Sequence, residues 1–94
     1  MKILDQSVTD MQEDLVKLRQ AVATAIASQK RLQNQAEQAE AQASQWQQKA
    51  ELAVRENRDD LAREALTRRK TYADTAASLN AQLSAQAEIG RAHV

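Results

Sequence analysis

The chain has 94 residues, 13 basic and 13 acidic side chains, no Cys, Pro or Phe, and a single Gly at position 90. With 19 Ala, 13 Gln and only Trp46 and Tyr72 as aromatics, it lacks the large side chains that fill a compact core. A β-sheet, a barrel, a disulfide scaffold and a compact α/β enzyme are therefore all disfavoured, and an all-α, long-helix protein remains. Zero formal net charge argues against nucleic-acid binding driven by counterion release. No run of about 18 apolar residues is present to span a bilayer, and the start, with acids soon after Lys2, does not read as a signal peptide.

Stepping alternately by four and three from Leu4 gives Leu4, Val8, Met11, Leu15, Leu18, Val22, Ala25, Gln29, Leu32, Ala36, Ala39, Ala43, Trp46, Ala50 and Ala53. Only Gln29 breaks this apolar row, either as a polar group that fixes register or as the point where a second helix leaves. A seven-residue repeat sustained this far predicts one continuous helix over about 3–56, with a seam that follows a left-handed supercoil. The tract from Gln33 to Ala43 has the look of low complexity, but the repeat passes through it and its Ala and Gln favour helix.

The repeat stops at Arg55-Glu56-Asn57-Arg58-Asp59-Asp60. Asn57 suits the left-handed residue that ends a helix, and Asp59 suits the cap of the next one, so a turn is predicted at 57–59. A second helix is expected over about 60–86, with an apolar face through Leu61, Ala62, Ala65, Leu66, Tyr72, Ala73, Ala76, Leu79 and Leu83. The predicted fold is a long antiparallel helical hairpin, a coiled coil with unequal arms.

Folding at that turn pairs positions whose numbers add to about 115. The expected hairpin seam is Leu32, Ala36, Ala43, Trp46, Ala50 and Ala53 against Leu61, Ala65, Leu66, Tyr72, Leu79 and Leu83, with Trp46 opposite Arg69 and covered by its stem. The second helix then reaches back only to about Gln29. Leu4, Val8, Met11, Leu15, Leu18, Val22 and Ile26 are left as an unpaired apolar stripe, expected to meet a partner or a missing piece of polypeptide. Each such side chain contributes about 1.5–3 kcal/mol when buried, too much to leave in water.

The last residues, Glu88-Ile89-Gly90-Arg91-Ala92-His93-Val94, abandon the Ala/Gln composition and coincide with the translation of a common sequencing-library adapter. The hairpin domain is thus expected to occupy 1–87, residues 88–94 to be a non-native tail, and Met1 to be an internal start. His93 has no second His or Cys to complete a metal site, and no nucleophile–base pair or phosphate-binding loop occurs. No enzyme activity, metal or cofactor is expected. The run Thr67-Arg68-Arg69-Lys70 could attract anionic headgroups, but Glu64, Asp59 and Asp60 balance it, so a solvated helix face is the simpler reading.

Three segments together resemble the phage shock protein A / vesicle-inducing protein in plastids family: Met11 to Arg19, Trp46 to Ala53, and Arg58 to Leu66. Lys70-Thr71-Tyr72-Ala73-Asp74-Thr75 is similar to its plastid and cyanobacterial branch, and the resemblance is collinear over about residues 2–87. It implies an ESCRT-III-like helical hairpin that self-assembles on membranes as a non-enzymatic scaffold for membrane maintenance or remodelling under envelope stress. The implied location is cytoplasmic, peripheral to the inner or thylakoid membrane. Contact with an anionic membrane would run mainly through an amphipathic helix that precedes Lys2 in the family. The family's turn often carries Gly where Asn57 stands. Two other readings are a regulator that binds and inhibits an AAA+ transcriptional activator, and the coiled-coil hairpin of a periplasmic efflux adaptor.

Overall fold

A computed structural model describes residues 2–92, with side chains described for residues 5–92. Two helices make up the described chain, α1 (Lys2–Arg55) and α2 (Asp59–Ala92), and no strand occurs among the described residues. Absence of Pro and of interior Gly leaves nothing to break α1 over its 54 residues. The chain divides into two units, residues 1–30 and residues 31–94.

The described part of the second unit, residues 31–92, forms the helical hairpin. Its turn follows from one backbone angle: Asn57 has φ 58°, the left-handed conformation, and is the one non-Gly residue with positive φ among those described. The Arg58 N–H donates to the Ala53 carbonyl at 2.8 Å and the Asn57 N–H to the Val54 carbonyl at 3.1 Å. These two bonds are the Schellman pattern, which satisfies the last carbonyls of α1 and reverses the chain. Asn57→Gly should keep or slightly raise the urea midpoint. Asn57→Val should lower stability by about 1–2 kcal/mol, because a β-branched side chain clashes in that conformation.

The start of α2 differs from the expected Asp59 cap. The Ala62 N–H donates to the Arg58 carbonyl at 3.0 Å, which makes Arg58 the capping position and Asp59 the first helical residue. Asp59 and Asp60 act instead through their charge in the first turn, where the helix dipole is positive. The other end also differs: α2 continues to Ala92 rather than stopping near Gln86. Glu88, Ile89, Arg91 and Ala92 all continue a helix readily, and one interior Gly costs only about 1 kcal/mol relative to Ala.

The hairpin's core is alanine. The buried residues are Ala36, Ala39, Ala50 and Ala53 on α1 and Ala62, Ala65 and Ala76 on α2. A seam of methyl groups lets two helices lie close together, so that backbone and side-chain stems supply the contact that bulkier residues would otherwise make. Residues 1–30 have no such core: every described side chain from Asp5 to Ala27 is exposed.

Candidate functional site

Two surfaces carry the chemistry of this chain: the seam within residues 31–94 and the uncovered face within residues 1–30. Along the seam, Ala39 with Ala76, Ala50 with Ala65, and Ala53 with Ala62 are buried pairs whose numbers add to 115. Leu32 and Leu83, and Ala43, are half-buried in the same row, as is Leu79, whose counterpart Ala36 is buried. In an antiparallel pair with that sum, the positions one residue beyond the seam on one flank must add to 120. Glu40 and Asn80 do so, and the Asn80 side-chain amide donates to the Glu40 carboxylate at 2.9 Å. That bond is the one described side-chain hydrogen bond joining the two helices, and it fits a single register.

Several expected seam members depart from this picture. Leu61 is 48% exposed, Leu66 41% and Tyr72 37%. Leu61 and Leu66 stand one residue outside the row that holds Ala62 and Ala65, on its two flanks, while Tyr72 stays in the row opposite Ala43 with its larger ring only partly covered. Leu66 lines one such flank with Ala50 and Val54. Tyr72 lines the other, a shallow groove shared with Gln35, Gln38, Gln42, Arg68 and Thr75. Ala39 and Ala76 were absent from the expected contacts, although the same arithmetic that paired Ala50 with Ala65 identifies them.

Trp46 is half-buried on the seam, but its cover is not the one expected. Lys49 Nζ lies 4.2 Å from the ring centroid and the Arg68 guanidinium carbon 5.0 Å from it. Both cations sit within reach of the ring's negative face. Arg69 is half-buried in the seam row, and its Nε is buried without a hydrogen-bond partner. Lys49 follows Trp46 by three residues, the helical spacing that brings side chains together, and this was the signal available in the sequence.

The basic run is largely consumed within the hairpin. Arg68 also pairs with Glu64 at 3.1 Å, and Lys70 pairs with Asp74 at 3.0 Å. Both pairs are well exposed and stabilise little, but they leave Arg68 and Lys70 engaged along the helix. Thr67 and Thr71 hydroxyls donate to the carbonyls of Arg63 and Thr67, four residues earlier. No group of three or more His, Cys, Asp or Glu side chains gathers to hold a metal among the described residues. His93 lies outside the described residues.

The second surface is the arm. Val8, Met11, Leu15, Leu18, Val22 and Ile26 are between 45% and 70% exposed. Leu4 belongs to the same row, but its side chain lies outside the described residues. Val16 is also exposed, on a different face of the helix. No helix among the described residues is long and apolar enough to cross a membrane.

The described chain is thus all-α: residues 31–94 hold an alanine-sealed helical hairpin, and residues 1–30 carry an exposed heptad stripe. The model of the PspA/IM30 family matches residues 1–91, and the chain belongs to that family. It is 55% identical over 85 residues to the chloroplastic membrane-associated protein VIPP1 of Oryza sativa subsp. japonica, covering 90% of this chain and 27% of that protein. It is 51% identical over 85 residues to the membrane-associated protein Vipp1 of Nostoc punctiforme, covering 90% of this chain and 33% of that protein. A phage shock protein A homolog of Deinococcus radiodurans is 36% identical over 85 residues, covering 90% of this chain and 38% of that protein. The chain thus spans between a quarter and two fifths of the length of these relatives.

Proposed function

We propose that this chain is the hairpin of a non-enzymatic, membrane-peripheral scaffold that self-assembles for membrane maintenance or remodelling under envelope stress. The observation that carries the reading is the bare apolar stripe from Val8 to Ile26 on a chain of the PspA/IM30 family. Relatives named as membrane-associated proteins support the membrane side of it. A peripheral position at the inner or thylakoid membrane fits a chain with no described span. Self-assembly would bury the stripe, and contact with anionic lipid would be weak for a surface whose formal charge is zero. Family membership does not favour the efflux-adaptor reading. An AAA+ activator as partner has no support from the relatives' names, and the scaffold reading expects its ATP hydrolysis to be unchanged when this chain is added.

The test combines circular dichroism over a dilution series with flotation on vesicles of mixed neutral and anionic phospholipid. Helicity that rises with protein concentration, and weak vesicle binding that salt removes, are the expected results. A stably folded monomer at every concentration, indifferent to vesicles, overturns the proposal.

A further inference from the structure

We infer that the layer of Trp46 and Arg69 is a built-in opening point of the hairpin, at which the outer part of α2 leaves α1 while the layers beside the bend stay closed. The device lies within residues 31–92 and does not depend on assembly or on lipid. Burial along the seam marks the place. Beside the bend, Ala53 with Ala62 and Ala50 with Ala65 are all buried, and further out Ala39 and Ala76 are buried again. Between them lie two layers with no fully buried member. Trp46, Arg69 and Ala43 are half-buried there, and Tyr72 is 37% exposed.

Chemistry weakens the same layer. Arg69 is the one charged side chain in the row Ala62, Ala65, Arg69, Tyr72, Ala76, Leu79 and Leu83. Its Nε is buried with no hydrogen-bond partner, and neither described ion pair of the hairpin includes it. Folding has thus taken an N–H of a permanent cation out of water without giving it an acceptor, and opening returns it to water. Lys49 and Arg68 bring two more cations to 4.2 Å and 5.0 Å from the Trp46 ring centroid, where the Glu64 carboxylate pairs with Arg68. A polar group set in a coiled-coil seam costs stability in this way. The methylene stem of Arg69 is a separate matter, since it still covers apolar surface in the row.

Helix α2 is itself loosened over this stretch. The Thr67, Thr71 and Thr75 hydroxyls donate to the carbonyls of Arg63, Thr67 and Thr71 at 3.0, 3.2 and 3.0 Å. Such bonds compete with backbone N–H groups for the same carbonyls, and threonine is a poorer helix former than the alanines beside the bend. Arg69 lies between the first two of these threonines. Outside it, the exposed Asn80–Glu40 hydrogen bond is one that water replaces at little cost. Opening that starts far from the bend therefore runs inward to Arg69 and stops against the buried alanines of the next layer.

The test makes one exchange at two adjacent positions of the full chain, at a single dilute protein concentration. Arg69→Met keeps a stem of similar length and removes the guanidinium, so the urea midpoint read by circular dichroism should rise. Arg68→Met makes the same exchange at an exposed residue that pairs with Glu64 and covers Trp46, and should leave the midpoint unchanged or lower it. Amide exchange then locates the opening. With Arg69→Met, amides from Ala73 to Leu83 should exchange at least about fivefold more slowly, because the opening that frees them breaks the Arg69 layer. A midpoint that falls or stays put with Arg69→Met overturns the inference. A comparable rise with Arg68→Met does so too, since lost charge or helix propensity would then be the cause. Slowing at Ala50 to Ala65 with none at Ala73 to Leu83 is equally fatal: the outer amides would then exchange through fraying that leaves the Arg69 layer shut.

Discussion

Replacing Ala65 with Glu is expected to be the most damaging single change to the hairpin. Ala65 is 4% exposed and Ala50, its counterpart across the seam, 3%. The space between them holds methyl groups, so a carboxylate must either lose its water or push the helices apart along several layers. No cation of the seam row lies beside this layer: Arg69 is one turn further along α2, in the layer of Trp46. An unpaired charge partly withdrawn from water, combined with overpacking, should cost about 3 kcal/mol. For so small a fold that is a large part of the total stability. Urea titration followed by Trp46 fluorescence checks this. An unchanged midpoint would mean that the two helices are not held together at Ala50 and Ala65. Ala65→Ser, with nearly the same volume, should lose far less.

The second large effect is expected at Trp46. Its indole is the bulkiest side chain in the seam and carries Lys49 at 4.2 Å and Arg68 at 5.0 Å from the ring centroid. Trp46→Ala removes the apolar contact, leaves a gap beside Ala43 and Ala50, and releases both cations to solvent. Full burial of such a ring would make the loss about 3–5 kcal/mol; for a half-buried one, about 2 kcal/mol is expected. Trp46→Phe should recover most of it, because a smaller aromatic face still accepts both cations. Denaturation followed by circular dichroism makes the comparison, since the natural fluorophore is lost in both variants. If Trp46→Ala were as stable as the parent chain, the ring would have no share in the seam.

Much of this architecture was legible because the physics that sets it is one-dimensional. A helix without Pro and with its one Gly near the far end has few ways to be interrupted, and the seven-residue apolar repeat states which face it buries. Asn57 was readable as the reversal because so few residues tolerate the left-handed conformation. The details that escaped depend on side-chain size across the seam. Leu61 and Leu66 carry the apolar pattern, yet they stand one residue outside the row once Ala62 and Ala65 take the seam, and Tyr72, in the row opposite Ala43, is too large to be covered fully. That is a property of two facing rows, not of one. Arg68 rather than Arg69 meets Trp46: Arg69 is half-buried in the seam row, while Arg68, one residue to its flank, sets its guanidinium carbon 5.0 Å from the ring centroid. Asp59 missed its capping role by one position, a shift within the usual margin of helix ends. On the arm, the sequence states that a stripe exists, and the structure adds that nothing in residues 1–30 covers it.

The reversal at Asn57 also shapes how the hairpin must form. Ala53 and Ala62, beside the turn, are separated by a short loop, whereas Leu32 and Leu83 close a loop several times longer. Loop entropy rises with that separation, so contacts next to the turn form first and each layer shortens the loop for the one after it. Folding should therefore zip outward from Asn57 and fray from the opposite end. Amide exchange should be slowest around Ala50 to Ala65 and quicken steadily with distance from the bend.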